Sequence, residues 1–293
     1  MFEKRKVNAL FDRLMGRPDI NKAYAMVGPE DSWYQTITQV HNSLAAIRQL
    51  PHEQLYIRSH DGLMMTGIYY PTGSKKTMIW VHGYTSHAER ESAFPSLFYR
   101  SLGFNVLIPY LRAHGPSEGD YIAFGALEYR DMQLWVDKIN DMTPDGQILI
   151  HGLSMGGGIA LDLASVPMKN VKCLVVDAPS ESIDGFLRGI TSYNFKKSAQ
   201  RAYRHICKRF IKEFSADPGD FNRIQTIQNS YYPILLSAGS NENCDELFEL
   251  LGKVNPNPTH TVILPGCNHG NGMYKQTQMY QTAICEFVER YME

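Results

Sequence analysis

From Lys75 onward, short apolar runs alternate with stretches in which apolar side chains return every three or four positions. The runs at 77–82, 104–110, 147–151, 171–177, 233–238 and 261–264 predict buried strands. Between them, Met132, Trp135, Val136 and Ile139 recur at helical spacing, as do Tyr280, Ile284, Phe287, Val288 and Tyr291. Strand alternating with helix predicts an α/β fold: a mostly parallel twisted sheet with helices on both faces. Ahead of it, 55–58 and 63–70 flank His60-Asp61-Gly62, which reads as a hairpin turn and so as an antiparallel start to the sheet.

Two segments break the alternation. Residues 1–50 are helical in pattern, with Val7, Leu10, Phe11 and Leu14 on one side and Lys4, Arg5, Lys6 and Arg13 around them. A short amphipathic helix more often packs on its own domain than on a membrane surface, so this is expected to be a docked extension. The stretch between Asp177 and Pro233 is too long for a bare loop and carries its own helical period. The expected division is an extension over 1–50, a first part of the core over 51–179, a helical lid over 180–231 and a second part of the core over 232–293.

In that lid, Tyr203, Ile206, Cys207, Phe210 and Phe214 share one helical face, and Lys197, Arg201, Arg204, Lys208 and Lys212 the opposite one. The basic face is expected to be a solvated outer surface. Its sharper alternative is attraction of an anionic substrate, a lipid surface or an acidic partner. The aromatics Phe186, Tyr193 and Phe195 either line an acyl site or pack the lid onto the core, the commoner fate.

Charge adds little to this picture: Lys plus Arg total 29 against 30 for Asp plus Glu, so nothing calls for nucleic acid as a partner. The five cysteines are scattered, odd in number and in no Cys-X-X-Cys pair, against both a disulfide framework and a zinc site. With no signal-peptide core after the basic start and no run long enough to span a bilayer, a cytoplasmic protein is expected. Oligomeric state is not legible.

The chemistry is concentrated at Gly152-Leu153-Ser154-Met155-Gly156, which lies between an apolar run and the helical pattern of 157–161. Strand, tight turn and helix is the context of a nucleophile elbow, and small residues two before and two after the serine let the backbone pass close to it. A serine hydroxyl needs an imidazole to take its proton and a carboxylate to orient that imidazole. Of the three histidines after Ser154, His205 falls mid-helix in the lid and His260 ahead of the last strand at its far end. Only His269 follows that strand, in Pro265-Gly266-Cys267-Asn268-His269-Gly270-Asn271-Gly272. Its loop lies at the strand C-terminal ends, where sites in open α/β sheets form. For the acid, Glu242 and Asp245 follow the strand at 233–238, and Asp177 ends the strand before it. Two amides must also face the developing oxyanion: Met155, and Tyr84, which follows Trp80-Val81-His82-Gly83. His82 precedes Ser154 in the chain and is expected to make a structural hydrogen bond.

These residues resemble the α/β-hydrolases, specifically bacterial serine hydrolases with a helical lid, over 55–293. Besides the elbow, His82-Gly83 and Asn268-His269-Gly270, the stretch Arg112-Ala113-His114-Gly115-Pro116-Ser117-Glu118-Gly119 is similar to the family's Asp-X-Arg-X-His-Gly-X-Ser loop after the fourth strand. The resemblance implies the α/β-hydrolase fold and an acid three residues beyond a glycine after the seventh strand, which from Gly239 is Glu242. Tyr110 stands where the family often has Asp, which alters a structural hydrogen bond near Arg112. Glu replaces the commoner Asp as the acid, so its backbone must sit slightly further from His269.

The expected function is a serine esterase cleaving a small-molecule carboxylic ester through Ser154, His269 and Glu242. No metal or organic cofactor is expected, since no Gly-X-Gly-X-X-Gly follows the first strand of an α/β unit. Thioesterase, lipase and peptidase activities use the same apparatus, and a non-catalytic small-ligand sensor is the alternative from another class.

Overall fold

A computed structural model of the chain describes residues 4–19, 33–180 and 182–292. Eight strands form one sheet: β1 (Glu53–Arg58), β2 (Met64–Tyr70), β3 (Lys76–Val81), β4 (Asn105–Pro109), β5 (Gln147–Leu153), β6 (Val171–Asp177), β7 (Ile234–Gly239) and β8 (Thr259–Leu264). Their spatial order is β1-β2-β4-β3-β5-β6-β7-β8. β2 pairs antiparallel with β1 and β4, and every other neighbouring pair is parallel, as the hairpin and the strand–helix alternation predict. The C-terminal ends of β3 and β5 to β8 therefore meet along one rim.

Side chains alternate across the strands and split the interior into two cores. Met78, Trp80, Val106, Ile108, Leu149 and Val175 face one side, where α2 (Ile37–Arg48), α3 (Ala88–Ser101) and, after the single-turn α10 (Gly272–Lys275), α11 (Thr277–Tyr291) cover them. Ile79, Val81, Leu107, Ile148, Ile150 and Val176 face the other, under α4 (Glu128–Met142), α5 (Met155–Leu163) and α9 (Asp245–Val254). Strands buried on both faces have no polar side to show, which is why they read as continuous apolar runs.

The structure lengthens three predicted strands, of which β1 starts two residues early, at Glu53. β5 runs to Leu153 because Gly152 and Leu153 still pair with Val176 and Asp177. β8 starts at Thr259, so His260 lies within the strand, bonded to the Tyr291 hydroxyl at 2.9 Å, rather than ahead of it.

Within the N-terminal segment, residues 20–32 lie outside the described residues. Helix α1 (Lys4–Met15) buries Val7, Leu10, Phe11 and Met15, with Leu14 half-buried beside them. Each such side chain contributes about 1.5–3 kcal/mol on leaving water. Beyond it, the Arg17 guanidinium donates to the carbonyls of Ser117 (2.8 Å), Gly119 (2.9 Å) and Gly115, stapling the chain to the turn after β4.

The insertion between β6 and β7 holds α6 (Ile183–Phe195), α7 (Ala199–Phe214) and the short α8 (Arg223–Ile227). The Ser182 hydroxyl caps α6 by accepting from the Gly185 amide at 3.1 Å. In α7, Ala202, Ile206, Phe210 and Phe214 are buried, while Lys197 ahead of it and Arg201, Arg204, Lys208 and Lys212 are exposed. The basic face is thus a solvated one. Arg209, between the two faces, donates to the Asn8 carbonyl at 2.9 Å and pairs with Asp12, tying α7 to α1. Among the described residues, no helix is long and apolar enough to cross a membrane.

Candidate active site

Ser154 sits between β5 and α5 with φ 58° and ψ −115°, a strained backbone that the surroundings must over-determine. They do so through the main chain. The Ser154 amide donates to the Asp177 carbonyl at 2.9 Å, and its own carbonyl accepts from Ser180 (2.9 Å) and Gly158 (3.0 Å). A Cβ on Gly152 would stand 2.1 Å from the Gly156 carbonyl oxygen, and one on Gly156 1.9 Å from that of Val81. The glycine spacing is therefore steric, as the sequence implies.

The three predicted side chains come together. His269 Nε2 is 2.8 Å from Ser154 Oγ, and His269 Nδ1 is 2.5 Å from Glu242 Oε2. Glu242 lies on a single 3₁₀ turn (Ser240–Glu242) directly after β7 and folds back, its Oε1 accepting from the Gly239 amide at 2.9 Å. That bond explains the three-residue offset from the glycine. The His269 loop is braced by Asn241 Nδ2 donating to Asn268 Oδ1 (2.7 Å) and by the Asn268 amide donating to Asn271 Oδ1 (2.9 Å). The hydrogen bond to Glu242 raises the His269 pKa above the ordinary histidine value; burial opposes it, and the charges of Glu242, Asp177 and Glu91 add to the rise.

The competing carboxylates are placed elsewhere. Asp245 opens α9 on the exposed surface, a position favoured by the helix dipole. Asp177 is buried at the end of β6, where desolvation lifts its pKa to about 6 and Tyr280 donates to it at 3.0 Å. The Tyr280 hydroxyl also meets His151 Nε2 at 3.0 Å, and His151 Nδ1 meets the Tyr99 hydroxyl at 3.1 Å. Burial holds His151 neutral, with a pKa of about 3. This polar chain under the elbow is not legible in the sequence, because its members come from α3, β5, β6 and α11.

On the other side of Ser154, His82 and Gly83 carry the chain over the nucleophile: a Cβ on Gly83 would lie 3.4 Å from Ser154 Cβ. Tyr84 follows, with Met155 at the start of α5. His82 plays the structural part expected of it. Its Nε2 accepts from the Leu111 amide at 3.1 Å and its Nδ1 faces the Gly83 carbonyl at 2.8 Å, while burial drives its pKa well below the usual range. The Tyr84 hydroxyl donates to the Leu14 carbonyl at 2.7 Å, and its ring continues into Phe124 (4.8 Å) and then Phe186 of α6 (4.4 Å). Phe186 thus packs the insertion down. Tyr193, grouped with it by sequence, is 83% exposed.

Where Tyr110 replaces the expected Asp, Arg112 finds other partners: Asp131 at 2.8 and 2.9 Å, and Asp61 at 2.9 and 3.2 Å. A cavity of about 430 Å³ lies between the insertion, α5 and α9, walled by Leu161, Phe221, Ile224, Leu247 and Leu251, and reaches Ser180, whose amide donates to the Ser154 carbonyl.

Comparison with known proteins adds to this geometry. The profile of the Hydrolase_4 family, described as serine aminopeptidase, S33, matches residues 72–232. Among curated proteins, the multifunctional-autoprocessing repeats-in-toxin of Vibrio vulnificus is 33% identical over 131 residues, 43% of this chain and 2% of the toxin. The uncharacterized protein YqkD of Bacillus subtilis is 32% identical over 123 residues, 41% of this chain and 40% of YqkD. The chain thus spans less than half the length of these relatives. Among solved structures, the Pyrococcus furiosus esterase Pf2001 aligns with a TM-score of 0.66 and 27% identity over 86% of this chain and 94% of its own. An alpha-beta hydrolase from Vibrio vulnificus aligns with a TM-score of 0.61 and 20% identity over 96% of this chain and 92% of its own, a likeness of fold.

Proposed function

The chain belongs to the serine aminopeptidase S33 family of α/β-hydrolases, and from that premise we propose that it is a carboxylic-ester hydrolase working through a Ser154–His269–Glu242 triad. Ser154 Oγ attacks the acyl carbon while its proton passes to His269 Nε2, and the amides of Met155 and Tyr84 hold the resulting oxyanion. Glu242 keeps Nδ1–H pointed away from the serine and stabilises the imidazolium. His269 then returns the proton to the departing alkoxide, leaving an acyl enzyme. A water molecule, deprotonated by the same imidazole, attacks that acyl carbon and releases the acid. The observation that carries this reading is the unbroken run of two hydrogen bonds, 2.5 and 2.8 Å, from Glu242 through His269 to Ser154.

An ester is favoured over a peptide by the likeness to the Pf2001 esterase over most of both chains. The helices over 183–227 act as a lid that sets the acyl and alcohol pockets of a small-molecule substrate. A fluorophosphonate probe tests the nucleophile: stoichiometric labelling at Ser154, lost in Ser154→Ala, is expected. A panel of p-nitrophenyl esters set against aminoacyl p-nitroanilides tests the substrate class. Turnover of the anilides alone moves the assignment to the aminopeptidase named by the family, and folded protein with neither labelling nor turnover points to a sensor.

A further inference from the structure

Glu91, in the first turn of α3, is a buried carboxylate that the proposed proton transfers do not use. Its Oε1 accepts from Trp80 Nε1 at 2.9 Å, and both its oxygens lie 3.1 Å from the Gly83 amide nitrogen. A Cβ on Gly83 would stand 3.1 Å from Glu91 Oε2 on one side and 3.4 Å from Ser154 Cβ on the other. Gly83 is therefore clamped between the acid and the nucleophile, one residue ahead of the amide assigned to the oxyanion.

We propose that Glu91 is a positioning residue for acyl transfer: by holding the Gly83 N–H it fixes the His82–Gly83 peptide, and with the Gly83 carbonyl held in turn by His82 Nδ1 and the Ser86 amide it aims the Tyr84 amide at the oxyanion. The inference rests on Ser154 being the nucleophile. Trp80, fully buried on β3, locks the carboxylate to the sheet that carries the elbow, so donor and nucleophile share one rigid support. The far side of Tyr84 is tied down independently by its hydroxyl bond to Leu14. A buried carboxyl is costly to keep and is tolerated when the donors around it satisfy it. Desolvation pushes the Glu91 pKa to about 7, with Ser86, Trp80, Gly83 and the charge of His269 pulling against it. The same field acts in reverse on His269, whose pKa Glu91 helps to raise.

The test compares Glu91→Gln, which keeps the shape and one acceptor oxygen, with Glu91→Ala, which removes the clamp. Active sites are counted by fluorophosphonate titration, so that kcat is read per competent site whatever fraction of each variant folds. With p-nitrophenyl acetate, kcat per site is expected to fall about 10-fold in the Gln variant and about 100-fold in the Ala variant, with KM within about two-fold. Inhibition by a trifluoromethyl ketone, which forms an oxyanion on Ser154, should weaken in step with kcat. A merely structural Glu91 would lower the number of titrated sites and the melting temperature but leave kcat per site alone. Unchanged kcat per site in the Gln variant overturns the proposal even where the Ala variant fails to fold, and so does a rise in KM at constant kcat. No labelling of Ser154 in the wild type overturns the triad and this inference together; normal labelling with unaffected variants overturns this inference alone.

Discussion

The elbow and the helical insertion meet at Ser180, yet they are built to opposite tolerances. Around Ser154 the main chain packs against itself: a methyl group on Gly156 would meet the Val81 carbonyl at 1.9 Å, whereas one on Gly189, in α6, would meet nothing within 4 Å. The elbow is fixed by backbone contacts to β3 and β6, the insertion by side chains such as Phe186 and Phe210 sliding into apolar gaps. The contrast separates two tasks. The candidate nucleophile sits where the backbone leaves no room for another side chain, and the insertion is the part that accepts change.

The sharpest way to break this comparison is Gly156→Ala, expected to destabilise the fold by more than about 4 kcal/mol in urea unfolding. A folded, active variant would show that the elbow has slack. Next in size is Glu242→Gln, expected to lower kcat/KM by about 10²–10⁴-fold at its optimum. Its pH profile carries a further sign. His269 must be neutral to accept the serine proton, and Glu242 raises its pKa, so losing the carboxylate moves the acid limb of kcat/KM to lower pH. A limb that stays in place assigns the field at His269 to Asp177 and Glu91.

Tyr84→Phe touches the border between the two regions by releasing the Leu14 carbonyl, at an expected cost of about 0.5–1.5 kcal/mol. Turnover should fall by no more than about three-fold, since the Tyr84 amide is still clamped through Gly83. A larger loss would make α1 a functional part of the oxyanion loop. The smallest effect is expected at Gly189→Ala: melting measurements should show a gain of about 0.5–1 kcal/mol with unaltered ester turnover, because alanine is the better helix former and has room. A loss there would mean that the insertion is as tightly fitted as the elbow.

Much of this design is visible before folding. The strands announce themselves because both their faces are buried, and Gly152 and Gly156 because their spacing is a steric demand rather than a preference. His269 follows from chain order and loop position. The acid is less plain: Glu242, Asp245 and Asp177 all occupy suitable places in sequence, and family likeness rather than chemistry singled out the one that the structure sets against His269. Glu91 is invisible in this way, since an acid in the first turn of a helix reads as a partner for the helix dipole. Its contact with Gly83 exists only once α3 is laid against β3. Arg112 teaches the same lesson: its partners Asp61 and Asp131 lie 51 and 19 residues away, and no local motif announces either.

The pairing of α1 with α7 also sets an order of events during synthesis. Asn8 and Arg209 are 201 residues apart, so at ribosomal rates of about 5–20 residues per second the first helix waits roughly 10–40 s for its partner to emerge. Throughout that interval Phe11 and its apolar neighbours have no α7 to cover them. The newborn chain therefore passes through a sticky stage that the finished fold conceals, and slow translation or a scarcity of chaperones would penalise the yield of this protein more than its final stability suggests.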